Sequence, residues 1–201
     1  MTTRLRFDGW ILGTGTTSGT RVVLGHWQSS PLGAFSDVMV QRPDGHRVLL
    51  APSEEVAGFV GSTYTFEEVR LTDVTVTRPD DATWSVRAGP LELSARVGRR
   101  PALGWALRAV PAPLARHPAW VGLLDRPAGL LTGLRTTGSA GNGRIEHYGV
   151  QDLHRLTAVE GKWDGEPLGT VAAVRPPVTF GFGSVPPGSS VVRVTTTVQL
   201  P

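Results

Sequence analysis

Ala34-Phe35-Ser36-Asp37-Val38-Met39-Val40-Gln41-Arg42-Pro43-Asp44-Gly45-His46-Arg47-Val48-Leu49-Leu50-Ala51 is the stretch that decides the class of fold. Two runs of strand character, residues 34–41 and 46–51, flank Arg42-Pro43-Asp44-Gly45. Proline presets φ for a turn and glycine accepts the left-handed position, so the stretch reads as a β-hairpin.

The same pattern extends outward. Upstream, residues 9–15 and 20–28 are strand-like and are separated by Thr16-Thr17-Ser18-Gly19, which is turn chemistry. Downstream, Ser53-Glu54-Glu55-Val56 has an N-cap serine and two acids in the first turn, with Val56, Phe59 and Val60 at helical spacing, so a short helix is expected over about 54–61. Residues 66–77 alternate as one strand, and 84–87 with 91–97 form a further hairpin around Ala88-Gly89-Pro90. Residues 144–160 read as one long strand, or as two with a kink at Gly149. Three more strands follow, over 168–174, 178–182 and 191–200.

One segment breaks the pattern. Between residues 101 and 133 apolar positions such as Leu103, Trp105, Leu107 and Leu114 are helix-compatible, while Pro111, Pro113, Pro118 and Pro127 cut them into short helices. With no βαβ alternation, the expected architecture is a mainly β, single domain over 1–201. It is an antiparallel β-barrel or strongly bent sheet of about ten strands, with a helical insertion at about 101–133.

Composition narrows the function classes. Hydrophobic content of 40% with 18% charged residues is that of a globular chain. The 25 glycines and 16 prolines suit many short strands and tight turns. Of 20 Lys and Arg residues only Lys162 is a lysine, a skew that GC-rich coding accounts for. The net charge is +3 and no Arg cluster is interleaved with aromatics, so nucleic acid is not the expected partner. Without cysteine there is no disulfide, thiolate or Cys-based metal chemistry. No apolar h-region opens the chain and no stretch is long enough to span a bilayer, so a cytoplasmic location without a transmembrane segment is expected.

Candidate chemistry concentrates in Arg144-Ile145-Glu146-His147-Tyr148-Gly149-Val150-Gln151-Asp152-Leu153-His154-Arg155. On a regular strand Arg144, Glu146, Tyr148, Asp152 and His154 share a face, and neither face is cleanly apolar. A bulge would reverse that assignment on one side of it. Glu146, Asp152 and His154 are the candidate acid–base residues. His147 and His154 fall on opposite faces, so no metal site is expected, and no motif calls for a cofactor. The loop Gly138-Ser139-Ala140-Gly141-Asn142-Gly143 can present backbone amides near Arg135 and Arg144. Gly13-Thr14-Gly15-Thr16-Thr17-Ser18-Gly19 precedes a strand rather than a helix and reads as a hairpin turn, not a phosphate loop. Lys162 enters a turn without a second lysine beside it, which disfavours Schiff-base, decarboxylase-type chemistry.

These residues point first to a binder of a small, largely apolar ligand, either neutral or anionic. Trp27, with His26 beside it, would line the cavity, and Arg135, Arg144, Tyr148 and His154 would anchor the polar end. The alternatives are an enzyme acting on such a ligand and an interaction protein that docks a partner or a second copy through residues 101–133.

Overall fold

The computed structural model describes residues 3–80, 82–117, 120–121, 137–139, 143–181 and 185–201. In chain order the elements are β1 (Arg4–Thr16), β2 (Arg21–Ser29), β3 (Phe35–Gln41), β4 (Arg47–Ala51), α1 (Glu54–Thr63), β5 (Glu68–Leu71), β6 (Val74–Asp80), β7 (Thr83–Ala88) and β8 (Leu91–Val97). There follow α2 (Ala102–Ala109), α3 (Ala112–Ala115), β9 (Thr137–Ser139), β10 (Ile145–Trp163), β11 (Glu166–Pro167), β12 (Val171–Ala172) and β13 (Ser190–Gln199). Ten strands run across one curled sheet in the order β5-β4-β3-β2-β1-β13-β10-β8-β7-β6, with β9, β11 and β12 paired at its margins. The protein is mainly β, and the sheet forms a half-barrel.

The deciding hairpin forms as its turn requires: the Arg42 amide donates to the His46 carbonyl at 2.9 Å, and Gly45 sits at φ +92°. Ser53 caps α1, its hydroxyl accepting the Val56 amide at 3.3 Å. Because α1 carries the chain back along the sheet, β5 pairs with β4 in parallel, so the sheet is mixed rather than wholly antiparallel.

Residues 66–77 are not one strand. They divide at Thr72-Asp73 into β5 and β6, the two opposite ends of the ten-strand path. Two linking residues reach at most about 10 Å. The sheet therefore curls until its edges come within that distance, with no ladder between them.

Curling buries β1 to β4 on both faces. Leu12, Val22, Leu24, Val38, Val40, Val48 and Leu50 face inward onto Trp84, Val86, Leu93, Val159 and Trp163. Each such side chain contributes about 1.5–3 kcal/mol on burial. The opposite face carries Val23, Met39 and Leu49. It is covered by Val56 and Val60 of α1 and by Val174, Val178 and Phe180 from the segment between β12 and β13.

β10 joins the two halves, pairing with β13 over its first part and with β8 over its second. Its register against β13 shifts between Val150 and Asp152, making Gln151 the extra residue of a bulge. Of the 101–133 insertion, α2, α3 and the helical pair Trp120 and Val121 are described, and α2 packs on β10 with Gly104 against the Leu153 carbonyl. Among the described residues no helix is long and apolar enough to cross a membrane.

Candidate functional site

A cavity of about 60 Å³ lies on the outer face of β1 to β3, beneath α1 and Val178, Phe180, Gly181 and Val185. Its wall is mostly apolar: Phe7, Ile11, Val23, Met39, Phe59, Val178 and Phe180 are typical. That volume accommodates on the order of four waters, or a molecule of a handful of heavy atoms. Five polar side chains interrupt the wall: Asp37, Tyr64, Glu146, Tyr148 and Thr196.

Three of them form a closed cluster. Strand alternation puts Glu146 and Tyr148 on one face of β10, and Tyr64 arrives from the C-terminal end of α1. Tyr64 Oη lies 3.0 Å from each Glu146 carboxyl oxygen, Tyr148 Oη lies 2.9 Å from Glu146 Oε2, and the two phenol oxygens are 2.8 Å apart. Glu146 is 2% exposed. Burial pushes its carboxyl above the usual range, partly opposed by hydrogen bonds from Tyr148 and Tyr64 and by the Arg144 charge. Burial first, then the neighbouring Tyr148 and Glu146, pushes the Tyr64 hydroxyl well up as well.

Asp37 occupies another part of the wall. It is the cross-strand partner of Gly25, and Trp27, two residues along β2, folds across that glycine to donate Nε1–H to Asp37 Oδ1 at 3.2 Å. A Cβ at position 25 would stand 2.5 Å from Asp37 Oδ1 and 2.7 Å from Trp27 Nε1, so only glycine leaves room for the contact. Burial pushes the Asp37 carboxyl up to about 7, against the smaller opposing effect of the Trp27 hydrogen bond. Thr196, opposite Tyr148 on β13, is 4% exposed, and its hydroxyl has no hydrogen-bond partner among the described residues.

The residues singled out from sequence are thus divided. Trp27, Glu146 and Tyr148 meet at the cavity. His26 does not line it: adjacent strand residues face opposite sides, and its ring packs edge-on against Trp84 at 5.7 Å and pairs with Ser36 at 2.8 Å. Arg144 closes the end of α1 instead. Its guanidinium donates to the Phe59 carbonyl and to the Ser62 and Thr63 hydroxyls and lies 4.9 Å over the Phe59 ring. α1 has no basic residue in its last turn, so Arg144 supplies the favourable charge there. Arg135 lies outside the described residues.

Asp152 and His154 part from Glu146 and Tyr148 because of the bulge at Gln151. Before it, Glu146, Tyr148 and Val150 pair with Val198, Thr196 and Val194. Beyond it, Asp152 and His154 pair with Arg193 and Val191, which belong to the other face. The single face expected for a regular strand is therefore corrected to two. Asp152 is held by Arg100 at 2.7 and 2.8 Å and lies 3.6 Å from His154 Nε2. Burial works against its charge, but Arg100 and the Leu153 amide hold the carboxyl below its usual range. It serves as an ion-pair anchor for the approach to α2. Lys162 is exposed near the β10–β11 turn, away from the cavity.

Asp37, Tyr64 and Thr196 were not among the residues read from sequence. Asp37 did leave a signal, a lone acid within the apolar run of β3. Tyr64 and Thr196 left none, because each reaches the site only through tertiary packing. Among the described residues, no group of three or more His, Cys, Asp or Glu is placed to hold a metal ion. Comparison of the chain with protein-family models, with curated proteins and with solved structures returns no match.

Proposed function

We propose that the protein binds a small, uncharged, largely apolar molecule carrying one oxygen function in the cavity under α1. The observation that carries this reading is the Thr196 hydroxyl, buried at an apolar wall with no partner among the described residues, on a cavity that two buried carboxyl groups also line. A buried hydroxyl without a partner costs about 1–3 kcal/mol, which a ligand oxygen or nitrogen would offset. Neither Arg nor Lys is among the described lining residues, and an anion would meet Asp37 and Glu146, so the neutral form of the ligand is favoured over the anionic one.

The test is titration of the protein with 2-butanone, which is within the size limit, followed by Trp27 fluorescence and by amide shifts in NMR. Saturable shifts confined to β2, β3, β10 and β13 are expected. They should weaken in Thr196→Val and vanish in Val178→Phe, which fills the cavity. Shifts spread over the surface, or unchanged in both variants, would refute it.

A further inference from the structure

Counting hydrogens in the Tyr64–Glu146–Tyr148 cluster yields more than a binding site. Three contacts close the ring: Tyr64 to Glu146, Tyr148 to Glu146, and Tyr64 to Tyr148. Each needs one hydrogen between its oxygens, and the two phenols supply only two. With Glu146 ionised, two hydrogens serve three contacts, so one pair of oxygens 2.8–3.0 Å apart is left with none between them whichever way the phenols donate. The third hydrogen therefore sits on Glu146. The cluster is a neutral, fully protonated donor set, and burial of the carboxyl acts in the same direction.

Asp37 differs in kind. Among the described residues its one hydrogen-bond donor from a side chain is the Trp27 indole, and it lines the same cavity as the ring, so its carboxylate form is free to accept a proton from a molecule held there. A protonated donor set and a separate carboxyl on one small apolar cavity are the two halves of acid–base chemistry.

We propose that the cavity is an active site for proton transfer on a small carbonyl compound, with Asp37 as the base and the Tyr64–Glu146–Tyr148 ring as the acid. This rests on the binding reading above and adds the reaction class. The Asp37 carboxylate takes a proton from the carbon next to the carbonyl. The C–H bond breaks, its electron pair forms the C=C bond, and the carbonyl π pair moves to oxygen. Tyr64 turns its hydrogen from the Glu146 carboxyl to that oxygen, stabilising the enol or enolate, and the remaining two ring hydrogens stay between Glu146 and Tyr148 and between the two phenols. Asp37 then either trades that proton for one from solvent and delivers it to the same carbon, or carries it to the far end of a conjugated system, and the ring recovers its own. Atoms and charge balance without an oxidant or reductant, and the net result is exchange or isomerisation. Thr196 Oγ1, opposite Tyr148, gives the substrate a second polar contact.

The experiment incubates the protein with 2-butanone in D2O and follows loss of its α-protons by 1H NMR, alongside the binding titration. Exchange well above the buffer rate is expected, rising with pH as Asp37 ionises and falling when the ring loses a proton. Asp37→Asn should retain binding and lower the catalysed rate by about 10²–10⁴-fold. Tyr64→Phe should lower it by about 10²-fold, and Lys162→Ala should leave it unchanged. Infrared spectra of wild type minus Glu146→Gln at pH 7 should contain the carbonyl stretch of a protonated carboxylic acid. Binding without exchange, exchange that survives Asp37→Asn, or loss in Lys162→Ala would overturn the catalytic proposal while leaving the binding reading intact. Absence of binding would overturn both.

Discussion

Asp37 makes the stability of this protein depend on pH in an unusual direction for an aspartate. Its carboxyl is pushed by burial from 3.8 up to about 7. Between those values the folded chain keeps a proton that the unfolded chain releases. The stabilisation is therefore complete below pH 3.8 and is lost as the pH rises through 7. Linkage with these two pKa values makes the folded state weaker by about 2–3 kcal/mol at pH 8 than at pH 5. Asp37→Asn keeps an oxygen for the Trp27 indole and removes the titration.

Urea unfolding of both proteins at pH 5 and pH 8 isolates the effect. Wild type should lose about 2–3 kcal/mol more than the variant across that interval. Glu146 acts in the same direction as Asp37. His26, whose charge is disfavoured by burial and by Arg78 and Arg193, acts in the opposite one. Both are present in each protein and cancel in the comparison. Asp152 and Asp8, held below their usual range, lose their contribution only at lower pH. Equal pH dependence in the two proteins would refute the reasoning.

Thr196→Val should raise stability by about 1 kcal/mol in urea unfolding, because it removes a buried hydroxyl that has no partner among the described residues, while weakening ketone binding. Gly25→Ala should destabilise by about 1–3 kcal/mol and shift the Trp27 emission, since the new methyl displaces the indole from Asp37; unchanged emission would count against the contact. Leu24→Ala, at a fully buried position between the two halves of the sheet, should cost about 2–5 kcal/mol. The same change at Leu71, 53% exposed on the edge strand, should stay within about 0.5 kcal/mol by thermal or urea unfolding.

Much of the fold was legible in local chemistry. Arg42-Pro43-Asp44-Gly45 and Thr16-Thr17-Ser18-Gly19 turn the chain where they should, and Ser53 starts α1. What local chemistry misjudged was the division of residues 66–77, because Thr72-Asp73 carries no turn signal, and the strands expected over 168–174 and 178–182, of which only Val171–Ala172 pairs as a strand among the described residues. The break at Thr72-Asp73 is set by two strands being recruited to opposite edges of the sheet. The site was legible in part. Trp27, Glu146 and Tyr148 could be found from strand alternation and composition. Asp152 and His154 were misplaced because a single inserted residue, Gln151, reverses the faces beyond it, and a bulge is a property of two strands together.

The sequence by itself determined a mainly β chain, its hairpins, the cap of its first helix and the strand that holds half of the polar site. Those features depend on backbone preferences and turn residues that act over a few positions. Only the tertiary structure decided that the sheet curls until β5 and β6 approach, that β1 to β4 are buried on both faces, and that Tyr64, Asp37 and Thr196 meet Glu146 and Tyr148 around one cavity. These residues are far apart in the chain, and what joins them is the burial of two apolar faces at once, which no local pattern encodes.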